Sequence, residues 1–307
     1  MTPLLPRVGD DARHAVSPEL WSQVAREIAA RHGLRGDPEP YPTGSDLVCR
    51  VGDRVLKLST PAWATQIEAE ARCLEALHGR LPCAVPELEA RGTFEGWPYL
   101  VMRRLPGLSL ARVWPELDDR ERVRLAGRLG AATAALHAAP IPDLGLPRWG
   151  ETLSELRTGL VERQRRRGVS EAWLAQLEPF VRRVEPLPAC GLVFLHTELL
   201  GEHVLLEDTP RGWDVSGLID FGDARAGAAE YDMVAPVEFV FRGQPGCLRG
   251  FLQGYGYPAE ALGLELRRRL LTWGLLHRFG SLPRMLAAAG DPAPRALEDL
   301  LQRLYAL

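Results

Sequence analysis

The stretch Phe194-Leu-His-Thr-Glu-Leu-Leu-Gly-Glu-His-Val-Leu-Leu206, with Gly217-Leu-Ile-Asp-Phe-Gly-Asp223 shortly after it, decides the fold of this chain. Short apolar runs alternate here with polar residues, which is typical of short buried strands joined by loops. We expect strands over residues 193–195, 204–206 and 215–219. The second and third of these strands are expected to pair as a hairpin.

That hairpin would bring several polar side chains to one point. His203 begins the second strand and Asp220 follows the third, so pairing would place them close together. Glu198 would face the same space across the loop, and we expect His196 to hold that loop by hydrogen bonds. A carboxylate and an imidazole beside a divalent ion, with a second carboxylate near an attacking hydroxyl, suit phosphoryl transfer.

A single lysine, Lys57, stands against thirty-six arginines in the chain. It lies in Arg54-Val-Leu-Lys-Leu58, which we expect to form a hairpin with Leu47-Val-Cys-Arg-Val51 around Gly52-Asp53. An ammonium is a compact point charge, whereas a guanidinium is a broad planar array of donors. Lys57 is therefore a candidate for contact with a phosphate group.

The remaining pattern predicts an α+β fold in two lobes. Helices are expected over 17–32, 63–79, 119–138, 151–167 and 171–184 and on towards Leu307, with a buried strand over 97–102. The N-terminal lobe (1–102) would be rich in β structure, residues 103–107 would form a hinge, and the C-terminal lobe (108–307) would be mostly helical. The cleft between the lobes is the expected ligand site.

As a set in this order, these motifs resemble those of the aminoglycoside phosphotransferase family, small-molecule kinases with a protein-kinase-like fold. The catalytic loop of that family has the approximate form H-G-D-x-x-x-x-N, and its metal motif is I-D-x-G or I-D-F-G-D. This chain has His196-Thr-Glu198 followed by His203, and then Ile219-Asp-Phe-Gly-Asp223. The resemblance runs from about residue 41 to about residue 245. It implies a kinase that uses ATP or GTP with Mg²⁺ to phosphorylate a hydroxyl of a small polar molecule.

The resemblance also implies the roles of individual residues. Glu198 would be the catalytic carboxylate, His203 and Asp220 would hold the metal, and the later Asp232 would be structural. Lys57 would contact the α- and β-phosphates and Glu70 would pair with it, with Glu68 as the alternative. The residues implied at the nucleotide are Gly44, Ser45, Lys57, Glu70, Met102, Arg103 and Leu105.

Two residues of the catalytic loop depart from the family pattern. Glu198 stands where the family has Asp, and its side chain is longer by one methylene. His203 stands where most members have Asn, and Mg²⁺ prefers oxygen ligands to imidazole. Displacement of a catalytic group by about 1 Å can cost about a hundredfold in rate. A pseudokinase that binds nucleotide without transferring phosphate therefore stays open as an alternative.

The acceptor implied first is a cationic amino sugar of the aminoglycoside type. The segment Val237-Glu-Phe-Val-Phe-Arg-Gly243 further resembles the hygromycin kinases. A cationic acceptor would need acidic residues in the cleft, for which the candidates are Asp223, Glu230 and Glu238. His277 and Trp273 are expected in the core or in the cleft wall. A kinase for an amino alcohol, another sugar or a macrolide is the alternative among enzymes.

Composition excludes several other classes of protein. The formal charge of −3 and pI near 6.2 argue against a nucleic-acid partner. The chain has no apolar run of about eighteen residues that would span a membrane, and Met1 to Asp11 lacks the order of a signal peptide. Five scattered cysteines without a C-x-x-C pair favour reduced thiols in the cytoplasm. Neither a P-loop motif nor a dinucleotide-binding G-x-G-x-x-G is present.

Overall fold

The computed structural model describes residue 5, residues 16–41, residue 44 and residues 46–184, 191–242, 244–290 and 294–307. The strands are Glu39–Pro40 (β1), Leu47–Val51 (β2), Arg54–Leu58 (β3), Leu88–Phe94 (β4), Trp97–Arg103 (β5), Leu108–Ser109 (β6), Val193–Leu195 (β7), Val204–Thr209 (β8), Gly212–Leu218 (β9) and Arg225–Gly227 (β10). The α-helices are Pro18–Arg31 (α1), Ala64–Leu77 (α2), Leu110–Val113 (α3), Asp119–His137 (α4), Trp149–Thr158 (α5), Leu160–Arg166 (α6), Glu171–Arg182 (α7), Ala229–Asp232 (α8), Pro245–Tyr255 (α9), Leu264–Leu276 (α10), Leu282–Ala289 (α11) and Leu297–Arg303 (α12).

The N-terminal part is an antiparallel sheet with a helix on each face. Its strand order is β1-β2-β3-β5-β4, and β2 and β3 form the predicted hairpin. Helix α1 buries Trp21 and Ile28 in a cluster with Leu56 of the sheet. Helix α2 buries Leu74 in the larger core, together with Leu100 from the other side of the sheet. This alternation of faces along the strands follows from the two-residue repeat of β structure.

The C-terminal part is mostly helical and contains the second predicted hairpin. Strands β8 and β9 pair antiparallel, with Val204 opposite Leu218, and β6 extends them to three strands. Strand β7 pairs separately with β10. The expected α+β architecture, with a β-rich first part and a helical remainder, is thereby confirmed.

Two predictions of local structure were wrong. Strand β4 was missed, because Gly92 interrupts its apolar alternation; a Cβ on Gly92 would lie 2.6 Å from the hydroxyl of Tyr99 on the paired strand. The single helix expected over 151–167 is two helices, α5 and α6, which break at Gly159. The guanidinium of Arg163 occupies the space beside Gly159, 2.7 Å from where a Cβ would stand, and donates to the carbonyl of Leu156 at 2.9 Å.

One hydrophobic core joins α2 and β5 to the helical part. Ile67 and Leu100 belong to the same buried cluster as Leu206 and Phe221 of the second hairpin. Four cysteines in the described residues are buried and unbridged, namely Cys49, Cys73, Cys83 and Cys247; Cys190 lies outside the described residues. Among the helices that the structure describes, none combines the length and apolar character needed to cross a membrane.

Candidate active site

The lysine of β3 lies in a pocket of carboxylates. Leu56 and Leu58 point to the α1 side of the sheet, so Lys57 points to the other side, where α2 packs. Its ammonium Nζ lies 2.7 Å from Glu70 Oε2, 2.9 Å from Asp220 Oδ1 and 3.2 Å from Asp46 Oδ2. Only 6% of Lys57 is exposed.

The position of Glu70 follows from the helical repeat of α2. Ile67, Glu70, Ala71 and Leu74 are all buried, at the spacing of one helix face. Glu70 is therefore carried into the interior beside Lys57. The alternative, Glu68, lies outside and forms ion pairs with Arg72 and Arg91. The expected Lys57–Glu70 pair is present, and the structure excludes Glu68 as its acid.

The charges around Lys57 do not balance. Burial alone would lower the pKa of Lys57, but the charges of Glu70, Asp220 and Asp46 outweigh it and raise that pKa well above its ordinary value. The ammonium is therefore charged at any physiological pH. Burial raises the pKa of Glu70, and beside the Lys57–Glu70 pair stand two further carboxylates, Asp220 and Asp46, whose negative charge a divalent cation would offset.

Asp220 and His203 meet as the hairpin prediction required. Asp220 follows β9 in the left-handed backbone region at φ +68°. This conformation is strained for a residue other than glycine. Its Oδ2 lies 3.4 Å from Nε2 of His203. Burial disfavours ionisation of Asp220, but the charges of Lys57 and His203 outweigh burial and hold its pKa well below the ordinary value.

The other ring nitrogen of His203 fixes which atom is available as a ligand. Nδ1 lies 2.9 Å from the backbone carbonyl of Glu198. A carbonyl accepts only, so Nδ1 carries a proton, and in the neutral form of the ring the lone pair lies at Nε2, beside Asp220. This hydrogen bond is of the kind that orients metal-binding histidines.

The donor set at this point fits Mg²⁺ that is bound jointly by protein and phosphate. Within the described residues, no group of three or more His, Cys, Asp or Glu side chains is placed to hold a metal ion by itself. Mg²⁺ is usually held by one or two carboxylates together with substrate phosphates and water, not by a cage of side chains. Asp220 with His203 provides a site of that incomplete kind.

Asp232 anchors the loop that carries Glu198. Its carboxylate accepts hydrogen bonds from the backbone amides of His196, at 2.8 Å, and Thr197, at 2.5 Å, and it contacts Nε2 of His137 at 3.0 Å. Buried His196 donates from Nε2 to the carbonyl of Ile219 at 3.0 Å. His196 and Asp232 thus tie the loop to the start of the Asp220 segment, which is the structural role expected of both.

Glu198 lies in an ion-paired cluster with Arg278 and Asp223. Nη2 of Arg278 donates to Glu198 Oε1 at 2.5 Å, while Nη1 donates to Asp223 Oδ1 at 2.9 Å and Nη2 also contacts Oδ2. Burial and the nearby charge of Asp223 raise the pKa of Glu198. Burial opposes ionisation of Asp223 too, but its hydrogen bonds with Arg278 outweigh burial and lower its pKa.

These groups face one cavity of about 850 Å³, formed between the N-terminal sheet with α2 and the C-terminal part. Its wall includes Lys57, Glu198, His203, Asp220 and Asp223. This volume lies within the range of about 300–1,000 Å³ that is typical of small-molecule sites.

Residues 43–271 match the model of a family described as the phosphotransferase enzyme family, so the match covers most of the chain. The chain belongs to that family. It is 30% identical over 207 residues to an aminoglycoside 3′-phosphotransferase of Streptomyces fradiae, across 64% of this chain and 70% of the relative. It is 28% identical over 188 residues to a viomycin phosphotransferase of Streptomyces vinaceus, across 57% and 63%.

A comparison of structures supports the same fold for this phosphotransferase. The chain is similar to the GDP and kanamycin complex of an APH(2″) enzyme, with a TM-score of 0.68, 21% identity, and coverage of 82% of this chain and 89% of the other. The expected protein-kinase-like fold and the identification as a phosphotransferase are both confirmed.

Not every residue expected at the nucleotide lines this cavity of the phosphotransferase. Gly44 lines it together with Lys57, while Ser45 lies outside the described residues. Met102, Arg103 and Leu105 are not among the residues that line it. Arg103 is the last residue of β5, and its amide donates to the carbonyl of Glu87 at 2.9 Å. The contact of these three residues with a nucleotide base stays a prediction.

Two of the acidic residues expected at the acceptor lie elsewhere. Glu230 is buried, accepts from Arg269 at 2.9 Å and from the hydroxyl of Tyr257 at 3.1 Å, and does not line the cavity. Glu238 also lies off the cavity, with a hydrogen bond from Tyr305, and burial raises its pKa to about 7. The helical segments that carry both residues turn them into the protein interior.

The sequence did not single out Asp46 and Arg278, although both line the cavity. Asp46 directly precedes β2 and follows Gly44 and Ser45, the two residues of this segment that the resemblance implies at the nucleotide. Arg278 follows His277, which is buried and has a pKa lowered to about 4, chiefly by burial. As one of thirty-six arginines, Arg278 carries no compositional signal.

Proposed function

We propose that this enzyme transfers the γ-phosphoryl group of ATP or GTP to a hydroxyl of a small polar molecule. One observation carries the proposal. Lys57 and Asp220, which contact each other beside buried Glu70, face the same cavity as the Glu198 carboxylate, so groups suited to hold phosphate and to orient a hydroxyl meet there. Such a pairing suits phosphoryl transfer, in which positioning and charge stabilisation supply most of the catalysis.

Lys57 would contact the nucleotide phosphates, with Glu70 fixing the direction of its side chain. An ammonium held by buried carboxylates is already oriented before ligand arrives, so little is lost in ordering it. Gly44 and Ser45 would cover the phosphates, and Met102, Arg103 and Leu105 would contact the base. The complex of a structural relative with GDP supports the use of a purine nucleotide.

Asp220 and His203 would hold Mg²⁺ together with the phosphates of the nucleotide. When bound, the ion offsets negative charge on the phosphate oxygens. The surplus of carboxylates around Lys57 supports this role for Asp220, because one acid belongs to the Lys57–Glu70 pair and another remains to attract a cation.

Glu198 would orient the acceptor hydroxyl and take its proton. The acceptor oxygen then bonds to the γ-phosphorus. At the same time the bond between that phosphorus and the β–γ bridging oxygen breaks, and the nucleoside diphosphate leaves. Arg278 occupies one oxygen of Glu198, and a carboxylate has a second oxygen for the hydroxyl. Arg278 would thereby hold the carboxylate of the longer glutamate side chain at the place where an aspartate would position its own carboxylate without such a contact.

The names of relatives make an aminoglycoside-type acceptor the first to test. One relative is named for aminoglycosides, a second for viomycin, and a structural relative was solved with kanamycin. Asp223, the candidate acidic residue that does line the cavity, is already paired with Arg278. A kinase for an amino alcohol, another sugar or a macrolide remains the second candidate for this reason.

The alternative outside catalysis is a pseudokinase, which binds nucleotide without transferring phosphate. The pairing of Glu198 with Arg278 favours this alternative if the ion pair persists when an acceptor binds. The test is transfer of labelled γ-phosphate from ATP and from GTP, with Mg²⁺, to a panel of aminoglycosides, viomycin and uncharged and acidic sugars. We expect at least one labelled product. A nucleotide-induced rise in melting temperature without any product would favour the pseudokinase, and neither signal would refute nucleotide use altogether.

A further inference from the structure

Three arginines line the cavity in addition to Lys57. Arg167, Arg278 and Arg284 all line it, and we call these three residues the arginine wall. Arg167 follows α6, Arg278 follows α10, and Arg284 lies in the first turn of α11. Three separate segments of chain thus direct a cationic side chain to the cavity.

Two of the three guanidinium groups form no ion pair with a carboxylate within the described part of the chain. Arg278 pairs with Glu198 and Asp223. Arg167 instead donates to uncharged backbone carbonyls, to that of Arg278 at 2.8 Å and to that of Gly280. Burial and then the charge of Arg284 lower the pKa of Arg167, so the two like charges interact.

Arg284 is an exposed residue held by an aromatic ring. Its guanidinium lies 4.5 Å from the centre of the Phe239 ring, and within the described residues no carboxylate forms an ion pair with it. Burial raises the pKa of Glu238 to about 7 and outweighs the charge of Arg284, which lowers that pKa. The carboxylate of Glu238 accepts a hydrogen bond from Tyr305.

Aromatic rings accompany the arginine wall. The guanidinium of Arg278 lies 4.6 Å from the centre of the Phe279 ring, and Phe279 is 44% exposed at the cavity. Trp63, on the side of the N-terminal sheet, is 43% exposed and lines the same cavity. Rings that hold guanidinium groups fix their direction, and exposed rings provide flat apolar contact.

We propose that the acceptor of this phosphotransferase carries an anionic group, such as a carboxylate, beside the hydroxyl that is phosphorylated. The inference rests on the proposed function and narrows its acceptor. Arg284 and Arg167 bind the anion, and Phe239 and Phe279 flank the body of the molecule. An ammonium group placed beside Arg167 and Arg284, which form no ion pair within the described residues, would meet like charge, and such contacts disfavour binding.

The rival role for the arginine wall is contact with the nucleotide phosphates. That role predicts a different phenotype, because loss of Arg284 would then weaken nucleotide binding whether or not an acceptor is present. In our proposal the loss weakens binding of the acidic acceptor and leaves nucleotide affinity unchanged.

The test uses probes that differ in charge and little else. The full chain is saturated with Mg²⁺ and a non-hydrolysable nucleotide at constant ionic strength, and its melting temperature is followed with glucuronate, glucose or glucosamine, and with glycolate, ethylene glycol or ethanolamine. The variants are Arg284→Gln, which removes the charge, and Arg284→Lys, which keeps it. Arg182→Gln, on an exposed arginine paired with Glu178, is the matched control.

We expect the acidic member of at least one series to bind about fivefold more tightly than its cationic counterpart, as one nearby charge in a solvated cleft provides. Arg284→Gln should remove this preference, and Arg284→Lys and Arg182→Gln should keep it. A cationic member that binds best, no shift from any acidic member, or a loss of nucleotide affinity in Arg284→Gln would each overturn the proposal. The shift with nucleotide alone reports the proposed function separately.

Discussion

Three carboxylates from different elements contact Nζ of Lys57. Glu70 approaches from α2, Asp220 from the segment just after β9 and Asp46 from the position just before β2. All three distances are 3.2 Å or less, so a planar guanidinium could not occupy the same point without displacing at least one acid. The retention of one ammonium in a chain rich in arginine has a geometric cause.

We therefore expect Lys57→Arg to lower kcat/KM for the nucleotide about a hundredfold although the charge is kept, because the donor atoms are displaced by about 1 Å or more. Steady-state kinetics with varied ATP or GTP measures the effect. The reverse exchange, Arg183→Lys on an exposed arginine paired with Glu298, is the control and should leave the kinetics unchanged. An equal loss of kcat/KM in both variants would show that any exchange between lysine and arginine lowers activity, and that the Lys57 pocket is not the cause.

The pairing of Arg278 with Glu198 predicts a change in pH dependence. Burial and Asp223 raise the pKa of Glu198, whereas Arg278 opposes the rise. A base must be ionised, so activity should fall with decreasing pH through this raised pKa. Arg278→Gln removes the opposing charge and should move the acid limb of kcat/KM to higher pH. An acid limb that stays in place would mean that Glu198 is not the titrating base.

At this scale the sequence predicted what was chemically singular. Lys57 was identifiable as the sole lysine, and Asp220 and His203 as polar residues at strand ends. Arg278 could not be identified, because its role depends on a contact across 80 residues of chain. The acceptor roles expected of Glu230 and Glu238 had only their negative charge as support, and charge does not tell which way a side chain turns.

Helices α4 and α9 cross at glycine residues, which let their backbones come close together. A Cβ on Gly130 would lie 2.1 Å from the carbonyl oxygen of Phe251, and a Cβ on Gly254 would lie 2.0 Å from that of Gly127. These contacts are backbone to backbone, so no side chain can move aside. Helix α4 also carries His137, which contacts the Asp232 carboxylate.

We expect Gly254→Ala to destabilise the protein by about 1–3 kcal/mol through overpacking. Gly150→Ala, at a helical position with nothing within 4 Å of the added methyl, should instead leave stability unchanged or raise it by up to about 1 kcal/mol. Urea denaturation followed by circular dichroism distinguishes them. Similar effects of the two substitutions would contradict the close helix crossing.

The local sequence pattern predicted the β-hairpins well. It failed where a tertiary contact, not the local sequence, determines the structure. The hairpins β2–β3 and β8–β9 were both predicted, since apolar alternation and turn residues agree. Strand β4 was missed because the ring of Tyr99 fills the place of a side chain at Gly92. The break at Gly159 likewise depends on Arg163, which bonds across it to Leu156 and to Leu276.

In the whole molecule, the cavity joins residues that lie far apart in sequence. Lys57 comes from the N-terminal sheet and Asp220 from the helical part, and they are in direct contact at 2.9 Å. A nucleotide bound with Mg²⁺ would contact both parts at once. Ligand binding stabilises the native state by about 2.7 kcal/mol at a hundredfold excess over Kd, so the effect should be visible in thermal unfolding.

We expect a non-hydrolysable nucleotide to raise the melting temperature more with Mg²⁺ than without it. Asp220→Asn removes a carboxylate that would hold the ion and should abolish this dependence on Mg²⁺. Asp214→Asn, on a surface acid paired with Arg128, should retain it. Full Mg²⁺ dependence in Asp220→Asn would place the ion elsewhere.

The central claim is that the chain transfers phosphate and that Glu198 serves as the base. The most direct measurement is the rate of labelled γ-phosphate transfer to the best acceptor by the wild-type protein, Glu198→Ala and Glu198→Asp. We expect measurable transfer by the wild type and a loss of at least about a hundredfold in Glu198→Ala, the contribution of a general base. Nucleotide binding without transfer in both the wild type and Glu198→Asp, or undiminished transfer in Glu198→Ala, would contradict the claim.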